Sequence, residues 1–253
     1  MKMHILSGGR LRMRKSVYLP QADRSETIEL PVSCVLLRHS QGNVLLDTGC
    51  HPITATDPET RWGTMAKAMV PISGPEDNVI RGLANLGLQP DDIDVVVNSH
   101  FHSDHCGCNE FFKRSTVFCH YRELEAAQAP DAEQKGYLPI DWRQEMPVKT
   151  VQGEHDLFGD GRVTLLPLPG HTAGTLASIV QLERDGRFLM AADAIPLRAN
   201  LEQEIMPRNT WNVALAEKSM QEVRRLQSQG ATVVFGHDAQ QWEELRKGPQ
   251  AYE

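Results

Sequence analysis

The chain has 253 residues, 40% of them hydrophobic and 23% charged, with a formal net charge of −7. These values describe a globular chain long enough to bury a sizeable core, read as one domain spanning 1–253. An acidic total without a long basic run argues against a nucleic-acid partner, and no stretch has the ~20 apolar residues of a membrane-crossing helix.

Lys2, Arg10, Arg12, Arg14 and Lys15 make the start basic, but no apolar segment of an export signal follows them. Cys34, Cys50, Cys106, Cys108 and Cys119 are odd in number, as expected of reduced thiols in a cytoplasmic protein. Residues 3–18 alternate loosely and predict a first hairpin. Residues 29–38 read as a strand, and a turn at Gly42-Asn43 leads into the apolar run Val44-Leu45-Leu46. That run ends in Asp47-Thr48-Gly49, where Asp47 suits either a structural Asx-type turn or support for a metal ligand.

Residues 51–76, rich in Pro, Thr and Gly, predict a long excursion with one short helix. Its Trp62, Met65 and Met69 suit either the wall of a substrate pocket or ordinary core packing. Residues 78–88 carry Val79, Ile80, Leu83, Leu86 and Leu88 at helical spacing. The apolar run Ile93-Asp94-Val95-Val96-Val97 then reads as a strand and leads into the most informative stretch, Ser99-His100-Phe101-His102-Ser103-Asp104-His105-Cys106-Gly107.

A regular strand would send His100 and His102 to one side and His105 to the other. A short helix or tight turn after the strand would instead fold Asp104 and His105 back towards a second centre. Imidazole and carboxylate groups at this spacing suit two adjacent divalent ions, and buried without them they would repel or stay unsatisfied. Zinc fits the nitrogen and oxygen donors first, with iron, manganese and cobalt compatible with the same set. Cys106 and Cys108 flank the motif, but free cysteine is also a common small buried hydrophobe, which is the reading adopted for both.

Downstream, the pattern predicts a short helix at 107–112, a strand at 116–119 and a helix at 122–127. A second irregular insert covers 128–147 and holds Tyr137, Trp142 and Met146. Strands follow at 148–151 and 162–168, and the latter runs into Pro169-Gly170-His171-Thr172. Residues 187–192 form a strand that ends at Asp193. A loop at 197–210 precedes a long amphipathic helix at 211–229. A last strand, 231–235, ends in Gly236-His237, before a polar helix and a frayed end. Four strand ends thus deliver His100, His102, Asp104 and His105, then His171, Asp193 and His237. Ends of strands in one sheet lie close together, so these residues are expected to converge.

This set resembles the metallo-β-lactamase superfamily, and most closely its N-acyl-homoserine lactonase-like members. The resemblance rests on Leu46-Asp47-Thr48-Gly49, His100-x-His102-x-Asp104-His105, Gly170-His171-Thr172, Asp193 and Gly236-His237, in the family's order. It implies an α/β fold, a four-layer αββα sandwich with metals at one edge between the sheets. It also implies that His100, His102 and His171 hold one ion, that Asp104, His105 and His237 hold the other, and that Asp193 bridges them. The implied activity is opening of an N-acyl-homoserine lactone or other ester by a hydroxide between the ions, with Asp104 carrying the proton to the leaving alkoxide.

Several such lactonases carry a tyrosine three residues after the bridging aspartate. Pro196 stands there in this chain, so either another donor substitutes, Tyr137 or Tyr121 from the inserts, or the substrate differs. Trp62, Met65, Tyr137 and Trp142 are the candidate substrate contacts, suited to an uncharged or weakly charged small molecule taken up by a monomer or homodimer. Rival readings on the same ligands are a glyoxalase-II-like thioesterase, an aryl esterase and a phosphotriesterase-like enzyme. A non-catalytic metal protein is a further rival, although structural zinc sites are usually closed and cysteine-rich.

Overall fold

The computed structural model describes residues 1–253. Its first half contains β1 (Lys2–Arg14), α1 (Lys15–Tyr18), β2 (Thr27–His39), β3 (Gly42–Leu46), α2 (Pro58–Trp62), β4 (Val70–Pro71), α3 (Val79–Ala84), β5 (Val95–Val97), α4 (Ser103–Cys106), β6 (Thr116–His120) and α5 (Tyr121–Ala127). The second half continues with α6 (Pro139–Trp142), β7 (Val148–Val151), β8 (His155–Asp156), β9 (Val163–Pro167), β10 (Leu176–Gln181), β11 (Arg187–Ala192), α7 (Arg198–Glu202), α8 (Val213–Ser228), β12 (Thr232–Phe235) and α9 (Ala239–Glu244). Seven strands form one sheet in the order β4-β1-β2-β3-β5-β6-β7, and five form a second in the order β12-β11-β10-β9-β8.

Successive side chains of a strand point to opposite faces, and β2 divides accordingly. Val35 and Leu37 enter the core between the sheets with Met3, Ile5, Leu165 and Val180. Cys34 and Leu36 face outward and pack against Val79, Leu83 and Phe112. The second sheet is covered on its far side by α8, whose Met220, Val223 and Leu226 pack on Leu189, Ala191 and Val233. Asn212 caps that helix by accepting from the Leu215 backbone N–H at 3.0 Å, and burial of each such apolar side chain contributes ~1.5–3 kcal/mol. Helix, sheet, sheet and helix form the expected four-layer αββα sandwich.

Some expectations are corrected. Residues 3–18 do not form a hairpin among themselves. Lys2–Arg14 is one long strand paired antiparallel with β2, its alternation interrupted by a register shift between Ser7 and Arg10. Gly42 and Asn43 already belong to β3, and the turn is made by Ser40 and Gln41. The sequence reading assigns no strand between Thr175 and Arg187, yet β10 lies at the centre of the second sheet. Its Leu176, Ala177 and Ser178 are all buried, so no polar–apolar alternation marks it. Nor is the chain's end frayed. Met3 and Tyr252 exchange backbone hydrogen bonds of 2.9 and 2.8 Å, and the Tyr252 ring packs on Phe188.

All five cysteines are free and buried. Burial pushes the Cys108 thiol up strongly and the Cys119 thiol to about 12. Cys106 and Cys108 sit within apolar clusters and join none of the groupings able to hold an ion.

Candidate metal centre

The centre forms where both sheets end on one edge. The ends do not come from one sheet, as the sequence reading assumed. β5 of the first sheet leads into His100, His102 and α4, whereas β9, β11 and β12 of the second lead into His171, Asp193 and His237. Helix α4 is a single turn, closed by the His105 and Cys106 N–H groups donating to the His102 carbonyl at 2.9 and 3.0 Å. It carries Asp104 and His105 back from the strand, as the motif requires.

Two backbone features aim the remaining groups. Ala192 has φ 46°, a left-handed conformation costly for a residue with a Cβ, and lies beside a register shift between β11 and β12. The kink ends β11 immediately before Asp193. Gly236 lies so close to that kink that a Cβ there would stand 2.7 Å from the Ala192 carbonyl and 2.9 Å from Asp193 Oδ1. Only glycine lets β12 end there and deliver His237.

The donor atoms fall into three overlapping groupings, each within 4.8 Å: His100, His102 and His171; His100, His105 and Asp193; and Asp104, His105 and His237. Asp193 lies between them, with Oδ2 at 3.4 Å from His171 Nε2 and Oδ1 at 3.2 and 2.9 Å from Nε2 of His105 and His237. Despite these short distances, His105 Nε2, His237 Nε2 and Asp193 Oδ1 are buried without a well-formed hydrogen bond. Such convergence is expected of atoms that share a cation rather than a proton.

The outer ring nitrogens fix the tautomers. His237 Nδ1 donates to the Pro31 carbonyl at 3.0 Å and His102 Nε2 to the Lys135 carbonyl at 3.1 Å, which turns the other nitrogen of each ring inward. His105 Nδ1 donates to Asp47 at 2.8 Å. These outer partners orient a ligand and raise its basicity. Burial, reinforced by neighbouring histidines, holds His100 well below its usual pKa, and burial brings His171 to about 4. Burial also disfavours charge on His105, but Asp104, Asp193 and Asp47 outweigh it and place that pKa well above the ordinary value. Burial therefore favours the neutral forms of His100 and His171, while the surroundings of His105 are rich in carboxylate. The residues fit a pair of divalent cations.

Asp47, undecided from sequence, is resolved by its contacts. With φ 57° it leaves β3 and accepts from the Ser99 N–H and hydroxyl, both at 2.7 Å, as well as from His105. Asp47→Asn replaces one acceptor with a donor, and metal affinity is expected to fall about 10–100-fold. Competition with a chromophoric chelator measures this, and an unchanged affinity would leave Asp47 as a turn residue only.

Sequence reasoning missed Glu123. Its fully buried carboxylate accepts from the Phe101 N–H at 3.0 Å, the Thr172 hydroxyl at 2.7 Å and the Gly174 N–H at 3.0 Å. Burial raises its pKa while these donors pull it down. Glu123 thus ties the His100–His102 segment of one sheet to the His171 turn of the other. The available signal was its place four residues before Ala127, on the buried face of α5.

The proposed substrate contacts separate. Tyr137 lines a cavity of about 340 Å³ together with His102, His171 and Thr172, its ring 5.3 Å from that of His102. Trp62 is buried with Leu11, Tyr18 and Leu30, and Met65 packs against the same cluster. Trp142 stacks on Phe101 and lines a different cleft. Tyr121 packs against His120 and Arg122, away from that cavity. Pro196 offers its carbonyl to the His237 N–H at 2.8 Å and so supports the turn that presents this histidine.

A family model described as the Metallo-beta-lactamase superfamily matches residues 27–247. The N-acyl homoserine lactonase AttM of Azorhizobium caulinodans is 29% identical over 100% of this chain and 98% of its own length. AiiB of Agrobacterium fabrum, also an N-acyl homoserine lactonase, is 32% identical over 90% of this chain and 87% of its own. Among solved structures, an N-acyl homoserine lactone hydrolase with N-hexanoyl-L-homoserine at its catalytic metal centre superposes with a TM-score of 0.90 at 26% identity, covering 99% of this chain and 98% of that one.

Proposed function

We propose that this chain, which belongs to the metallo-beta-lactamase superfamily, hydrolyses the ring ester of N-acyl-homoserine lactones. It is a metallo-hydrolase related to the N-acyl homoserine lactonases, and what carries the finer reading is the convergence of five histidines and two aspartates beside a cavity walled by Tyr137. His100, His102 and His171 would hold one divalent ion, Asp104, His105 and His237 the other, with Asp193 shared. When bound, such ions polarise a carbonyl oxygen and lower the pKa of water towards neutrality.

The chain's own residues do the rest. Tyr137 is buried, and burial together with Glu123 keeps its phenol protonated at neutral pH. It is the tyrosine that lines the cavity beside His102 and His171, and we assign it the role left open by Pro196. Asp104 keeps Oδ2 near His105 and His237, at 3.6 and 3.7 Å. Its carboxylate takes a proton from the attacking water and gives it to the ring oxygen as the acyl C–O bond breaks. Unassisted departure of an alkoxide is slow, so this transfer is the step the carboxylate serves.

Hydrolysis of N-hexanoyl-homoserine lactone by zinc- or cobalt-loaded protein, against a chelator-treated control, tests the reading. Chelator-sensitive ring opening that returns with metal is expected. Absence of turnover with two ions bound per chain would retire it in favour of aryl esters, thioesters or phosphotriesters. Asp104→Asn is expected to lower kcat by about 10²–10⁴ with little change in KM, and comparable turnover in that variant would remove the proton-carrier role.

A further inference from the structure

We infer that the cavity beside the metal centre selects substrates whose acyl chain ends in an anionic group, a carboxylate, with Arg208 as the residue that recognises it. The inference rests on the lactone reading above and names its substrate class more narrowly. The cavity is small, about 340 Å³, near the lower end of ligand pockets. It is lined by Ala126, Lys135 and Tyr137, by the loop Arg208-Asn209-Thr210-Trp211, and by the histidines His102 and His171. Two charged side chains other than histidine line it, Lys135 and Arg208, and both are cations. In a chain of net charge −7 this is a local reversal of sign.

The two cations differ. Lys135 is already paired with Asp131 at 2.7 Å. Arg208 pairs with no carboxylate, but it is held in place: its backbone N–H donates to the Val17 carbonyl at 2.7 Å and its Nη2 to the Pro20 carbonyl at 3.0 Å. A guanidinium oriented by one carbonyl, with its remaining N–H groups free, is a ready partner for a carboxylate. Trp211, 53% exposed, lines the same cavity and adds a flat apolar surface to it.

The test compares N-hexanoyl-homoserine lactone with N-adipoyl-homoserine lactone, in which the terminal methyl is replaced by a carboxylate. Wild-type protein is expected to favour the adipoyl lactone at least tenfold in kcat/KM, and the preference should shrink as salt is raised. Arg208→Gln should reduce kcat/KM for the adipoyl lactone at least tenfold more than for the hexanoyl one, and Lys135→Gln should do so much less. Equal kcat/KM for the two lactones, or an equal loss for both in Arg208→Gln, overturns the inference.

Calorimetric binding of the two ring-opened products reads the anion site without turnover. Tighter binding of N-adipoyl-homoserine that Arg208→Gln abolishes supports the site even where neither lactone is opened, an outcome that would defeat the lactone reading alone. Equal binding of the two products overturns the site itself.

Discussion

Glu123→Ala is expected to weaken metal binding about 10–100-fold and to lower stability by roughly 3 kcal/mol or more, the cost of leaving several buried donors without an acceptor. The Phe101 and Gly174 N–H groups lose their acceptor and the Thr172 hydroxyl keeps only Thr175, and all three sit beside His100, His102 and His171. The loss should fall on an ion held by His100, His102 and His171 and spare one held by Asp104, His105 and His237, as the proposed assignment has it. Cobalt titration followed by absorbance separates the two, and urea unfolding gives the stability. Glu123→Gln keeps the shape and one acceptor oxygen but sets an NH2 group against a buried donor, so it should cost less stability than Glu123→Ala while still weakening the same ion. Wild-type cobalt spectra and affinities in both variants would show that the clamp does not govern the centre.

Arg61→Met is expected to destabilise the protein by about 3–5 kcal/mol, because it leaves a buried carboxylate without its cation. Arg61, with its side chain only 8% exposed, reaches from α2 in the first insert to Asp141 of α6 in the second at 2.7 Å. The same guanidinium donates to Glu110 at 2.8 Å and to the carbonyls of Gly107 and Ile140 at 3.3 and 3.2 Å. Asp141 is fully buried, and burial raises its pKa against the pull of Ser103 and Arg61. The double change Arg61→Met with Asp141→Leu removes the stranded charge and should recover much of the loss. Denaturant melts of the four proteins in this cycle measure the coupling. A single variant as stable as wild type would mean that water already reaches the pair.

The local sequence signals correspond closely to the structure. The helix after Asn78 begins where that side chain accepts from the Arg81 N–H, and α8 follows the Asn212 cap with Met220, Val223 and Leu226 at helical spacing. The strand–histidine and strand–aspartate junctions at His100, His171, Asp193 and His237 also stand where the patterns place them. Caps, periodicity and motif spacing are short-range properties, fixed by residues within a turn or two of one another.

Tertiary structure decided the rest, because the deciding partners lie far apart in the chain. Asp47 reads equally as a turn or a support until Ser99 and His105 arrive beside it, 52 and 58 residues later. Glu123 looks like any helix-surface glutamate until Thr172, 49 residues on, donates to it. Trp62, Tyr137 and Trp142 share one chemistry in the sequence, yet one joins a core, one a cavity wall beside the histidines and one a separate cleft. Apolar burial is non-directional, so an aromatic residue in a sequence declares that it will be covered, and only the packed sheets determine by what.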